Sequence, residues 1–190
     1  MNCVFRNALP FVTMGRVVKG FGRGSKELGI PTGLPFFIVG QVIKQFRRGQ
    51  RELGLPTANF SEDVVEHLPK ELDCGIYCGW AKVDSGPVYK MVMSIGWNPY
   101  YKNTKKSIET HILHEFKKDF YGSMLKVAIL AYLRPEKNFS SLEELITAIK
   151  SDIQAADKLL EQPEYQIFKD NSFFQDKNGQ NNKYINGHKT

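Results

Sequence analysis

The sequence predicts an all-β domain closed by a C-terminal helix, and three observations carry that expectation. After Asn59 the chain runs through segments rich in β-branched and aromatic residues, separated by turn signals. No helical pattern stands between them, which points to an antiparallel barrel or sandwich rather than to βαβ units. After Ser141 the apolar period changes to that of a helix. At 190 residues there is room for one core and short tails.

The composition is that of a globular protein, with 42% hydrophobic and 24% charged residues. No apolar run approaches the roughly 20 residues needed to span a bilayer, so a membrane protein is not expected. The formal charge of +6 favours an anionic partner: nucleic acid, a phosphorylated small molecule or an acidic surface. The three cysteines are Cys3, Cys74 and Cys78. An odd number without a Cys-x-x-Cys pair argues against a disulfide framework and a structural zinc site, and for a reducing, cytoplasmic setting. The first acidic residue is Glu27, after five basic ones. Such a start fits a mitochondrial transit segment and a basic surface segment equally well.

The elements follow in chain order. Leu9–Thr32 recurs as Leu34–Thr57, with Leu-Pro-Phe, Gly15/Gly40, Val17/Val42 and Glu-Leu-Gly repeated in place. Two copies are too few for a solenoid, so a local duplication accounts for them, with one copy surplus to the fold. Residues 1–33 are then an appendage and 34–174 the domain. "CGIYCGWAKV" and "YKMVMSIGW", joined by the turn Asp84–Pro87, form a hairpin. "KSIETHILHEF" and "MLKVAILAYL" supply further strands. In "SSLEELITAIKSDIQAADKLLEQP", Leu142, Leu145, Ile146, Ile149, Ile153 and Leu160 fall on one helical stripe, which covers the barrel. Ser141 and Glu144 form a capping box at its start, and Pro163 lies past its end. Residues 175–190 are polar, rich in Gly and Asn, and expected to be disordered.

Two stretches could carry chemistry. Gly20, Gly22 and Gly24 alternate in the first copy, where glycine lets backbone approach a phosphate. Their spacing fits neither the dinucleotide fingerprint nor the P-loop, and a tight turn explains them as well. In "LGLPTANF", Pro56 holds the next residues extended, so Thr57 and Asn59 point to the same side. A hydroxyl and an amide oxygen are hard donors suited to Mg²⁺, completed by substrate phosphates. A turn capped by Asn59 is the plainer alternative.

Together with Gly75–Ala81, Met93–Gly122 and Ala131–Leu145, the segment Gly40–Phe60 closely resembles the riboflavin kinases. The similarity runs from about Gly40 to Phe174, and the length is like that of the single-function eukaryotic type. It implies a small Greek-key antiparallel β-barrel with a C-terminal helix. It implies ATP-dependent phosphorylation of the ribityl 5′-hydroxyl of riboflavin to give FMN. On this resemblance Glu109 is the catalytic carboxylate, and Thr57 and Asn59 hold Mg²⁺, with Zn²⁺ or Mn²⁺ as alternatives. Gln45, Arg51, Ile112, His114 and Tyr121 surround ATP, and Arg134, Lys137 and Phe139 surround the flavin. The expected partners are riboflavin/FMN and ATP/ADP, bound by a monomer without nucleic acid or membrane.

Each copy departs from the family pattern. Gln45 and Arg47 replace the loop glycines in the second, while Gly33 and Leu34 replace Ala and Asn in the first. The second copy runs on into the remaining motifs and is therefore expected in the barrel. Gln45 and Arg47 raise an alternative function, a barrel that binds flavin or nucleotide without turnover. A barrel binding single-stranded nucleic acid is a third reading, disfavoured because acidic residues interleave the basic ones.

Overall fold

A computed structural model describes residues 11–14, 36–43, 57–68, 72–97 and 106–175. Among these, seven strands form one antiparallel sheet: β1 (Phe11–Met14), β2 (Phe36–Ile43), β3 (Ala58–Phe60), β4 (Gly75–Val83), β5 (Val88–Trp97), β6 (Lys106–Ile112) and β7 (Met124–Arg134). The order is β1-β2-β3-β6-β5-β4-β7, and β2 also pairs with β7, so the six strands from β2 to β7 close into a barrel. The meander β4-β5-β6 with β7 returning beside β4 is a Greek key. Among the described residues no helix is long and apolar enough to cross a membrane.

The second copy of the repeat supplies β2. The first supplies β1, which pairs with the start of β2 on the edge away from β7, Phe11 facing Val39 and Met14 facing Phe36. The rest of residues 1–33, the glycine triplet, Cys3, and 176–190 of the tail expected to be disordered all lie outside the described residues.

Two apolar layers hold the fold. Inside the barrel, Ile38, Phe60, Met91, Met93, Ile95, Ile108 and Val127 pack together, and Val64 of the short helix α1 (Glu62–Glu66) joins them. Outside it, α2 (Leu142–Leu160) and α3 (Pro163–Gln166) cover β4, with Ala156, Leu160 and Phe174 against Cys78, Trp80 and Ala128. Because both faces are covered, all nine residues of β4 are buried. Burial pushes the Cys78 thiol up to about 12. Trp80 Nε1 donates to the Tyr165 carbonyl (2.9 Å) and Lys82 Nζ to that of Phe174 (2.7 Å), pinning the C-terminal segment to the same strand.

The turn Asp84–Pro87 joins β4 to β5, with Asp84 at φ +46° and Gly86 N donating to the Val83 carbonyl. Ser141 caps α2 by accepting from Glu144 N (3.2 Å). The return arm of the expected capping box lands one residue earlier. Glu144 Oε2 accepts from Ser140 N and Oγ, because the extended Ser140–Ser141 step brings those donors under the carboxylate.

Candidate active site

Strand register assembles residues that are far apart in sequence. Asn59 on β3 faces Glu109 on β6, and Glu109 faces Ser94 on β5. Ser94 faces Ile76 on β4, and Ile76 faces Arg134 on β7. Five strands thus give one residue each to a row running across the barrel. At about 4.8 Å per strand, Glu109 and Arg134 stand about 14 Å apart along the sheet.

Alternation decides which way each side chain points. On β6, Ile108, Thr110 and Ile112 enter the barrel, while Ser107, Glu109 and His111 face outward. The outward face and α2 enclose a cleft of about 260 Å³. Thr57, Glu109, Arg134, Lys137 and Phe139 all line it. Ile112, expected beside ATP, instead directs its side chain into the core, because it is an even step from Ile108. His114 and Tyr121 lie away from the cleft. His114 stacks on Tyr89 (4.0 Å between centroids) and meets Phe116 edge-on, and Tyr121 is exposed. Their loop closes against β2, where Gly122 N donates to the Val42 carbonyl and Gln41 Nε2 to that of Gly122. Gln45, Arg47 and Arg51, which follow β2, lie outside the described residues.

At one end of the row, Asn59 is buried and its Oδ1 has no hydrogen-bond partner. A buried carbonyl oxygen left this way is costly unless something coordinates it. Thr57, two residues earlier on an extended segment, lines the adjacent cleft, and Glu109 is the cross-strand neighbour. These oxygen donors are of the kind a hard divalent cation takes.

The other end is cationic but balanced. Arg134 Nε donates to Asp152 Oδ1 (2.8 Å) and Nη2 to Oδ2 (2.7 Å), a two-bond fork onto a buried carboxylate of α2. Arg134 and Lys137 both approach the Phe139 ring, at 5.9 and 5.3 Å from its centroid. Glu136 presses on Gly96, and burial raises its carboxyl pKa against the pull of Arg134. Sequence reasoning missed both carboxylates. Asp152 left a signal, a charged residue on the apolar stripe between Ile149 and Ala156; Glu136 left none in a loop of charges.

Comparison with known proteins then gives three findings. A family model described as "Flavokinase: Riboflavin kinase" matches residues 32–160. The riboflavin kinases of Mus musculus and Homo sapiens are each 61% identical over 95% of this chain, covering 99% and 98% of their own lengths. The crystal structure of riboflavin kinase from Trypanosoma brucei superposes with a TM-score of 0.61 at 31% identity, over 76% of this chain and 92% of that one.

Proposed function

The chain belongs to the riboflavin kinase family, and on that premise we propose how its cleft phosphorylates riboflavin to FMN with ATP as donor. The observation that carries the assignment of roles is the row from Asn59 to Arg134, with Glu109 beside the cation-suited oxygens and the aromatic loop at the far end. Riboflavin lies across the strands, its ribityl chain toward Glu109 and its ring toward Phe139, Lys137 and Arg134. The 14 Å or so between the two ends suits a tricyclic ring with a five-carbon chain.

Glu109 accepts the proton of the 5′-hydroxyl as that oxygen bonds to the γ-phosphorus and the bridging P–O bond to the β-phosphate breaks, releasing ADP. Thr57 and Asn59 Oδ1 would hold Mg²⁺, which when bound neutralises charge on the phosphates. Phosphoryl transfer needs positioning and charge neutralisation more than covalent chemistry, so one oriented carboxylate is sufficient. By the family resemblance His114 and Tyr121, on the loop closed against β2, would contact ATP. Ile112 contributes there through the backbone, since its side chain is in the core.

Incubating the protein with riboflavin, ATP and Mg²⁺ and separating flavins by chromatography tests the activity directly. FMN formed by the wild type and lost in Glu109→Gln is the expected result. FMN formed equally by both would remove Glu109 from its role. Tight flavin binding without FMN would revive a barrel without turnover, which no present observation favours.

A further inference from the structure

We propose that Asp152 is a positioning residue for recognition of the flavin ring: it aims Arg134 into the cleft and cancels its charge there. An arginine has five N–H donors in a rigid fork. In Arg134, Nε and Nη2 each give one to Asp152, and Nη1 gives one to the Pro135 carbonyl (3.0 Å). Two N–H groups remain, one on each terminal nitrogen, and the fork fixes the plane in which they lie. They suit the carbonyl and ring-nitrogen acceptors of a heteroaromatic edge.

The charge balance matters as much as the aim. The side chains of Arg134 and Asp152 are only 22% and 9% exposed. An unpaired guanidinium at that depth would favour an anion over a neutral ring. Paired, it offers hydrogen bonds without net charge. The same pair ties α2 to the end of β7, so a purely structural role is the rival explanation.

Lumiflavin, the ring without the ribityl chain, probes this end alone. The inference rests on the ring assignment above, and Phe139→Ala tests that assignment separately. In Asp152→Asn the expected result is a rise of about ten- to hundredfold in lumiflavin Kd and riboflavin KM, the effect of losing one charged hydrogen bond. kcat should fall far less, because Glu109 is three strands away. Asp152→Glu should recover part of the affinity. The double variant Arg134→Met/Asp152→Leu keeps α2 docked through apolar contact and serves if Asp152→Asn does not fold. It should still bind lumiflavin weakly. Wild-type lumiflavin affinity in Asp152→Asn or in the double variant, with Phe139→Ala impaired, would overturn the inference while leaving the ring assignment standing. If Phe139→Ala also binds normally, the ring assignment itself falls.

Discussion

One substitution, Gly→Ala, should have opposite consequences at two positions of this barrel. At Gly79 a new Cβ would lie 1.8 Å from the Ala128 carbonyl oxygen and 2.9 Å from its carbon. Those atoms belong to the neighbouring strand, at a place where the β4–β7 register shifts between Cys78 and Gly79. Ordinary contact demands that the strands part by more than about 1 Å. That breaks one or two ladder hydrogen bonds, at about 1 kcal/mol each, and loosens a strand buried on both faces, at about 1–3 kcal/mol. The sum of about 2–5 kcal/mol is a large share of a typical stability of about 5–15. It corresponds to a drop in Tm of about 4–20 °C. At Gly96 the Cβ would meet Glu136 Oε1 at 1.9 Å, nominally as severe. Here the obstacle is the end of a flexible side chain beside solvent, which can swing away. Gly96→Ala should therefore change stability by no more than about 1 kcal/mol, with the entropy gain of alanine offsetting the displacement. Urea unfolding followed by fluorescence measures both. Equal losses in the two variants, or none at Gly79, would refute the argument that the identity of the neighbour sets the outcome.

Glu109→Gln should lower kcat by about 10²–10⁴ while riboflavin affinity changes little, read by steady-state and equilibrium titration. Glu136→Gln should raise Tm slightly at pH 7, by no more than about 2 °C given its exposure. A carboxyl whose pKa is raised in the fold favours folding below its unfolded value and loses that contribution as pH rises through the folded value. The gain from glutamine should accordingly vanish near pH 4, and a gain that persists there would exclude this cause. Native protein at pH 8 should leave Cys78 unreactive to a thiol reagent, because burial holds it protonated, and unfolding should release it. Ser141→Ala should cost about 0.5–2 kcal/mol by removing the cap of α2, measured by denaturant midpoint.

What the sequence discloses here is local. The β4–β5 hairpin is legible because Asp84–Pro87 is turn chemistry between two period-two runs, and α2 because its stripe and cap agree. That Thr57 and Asn59 share a face follows from strand alternation alone. Their meeting with Glu109 does not, since it depends on register between β3 and β6, set by contacts across the whole barrel. For the same reason Ile112 could not be assigned to the core from an isolated segment. The carboxylate that pairs with Arg134 is likewise out of reach of the local sequence, because only the docking of α2 brings Asp152 against it.

The row from Asn59 to Arg134 also says where this protein can change length. Because each of five strands contributes one residue, a single insertion within any strand turns its contribution inward and deletes it from the cleft. Additions between strands leave the alignment untouched. The duplication of Leu9–Thr32 as Leu34–Thr57 obeys that constraint. It adds a whole unit ahead of β2, and every residue of the row keeps its neighbour. Variation in this fold should accumulate as long connections and extra edge strands, while spacing inside the strands stays fixed.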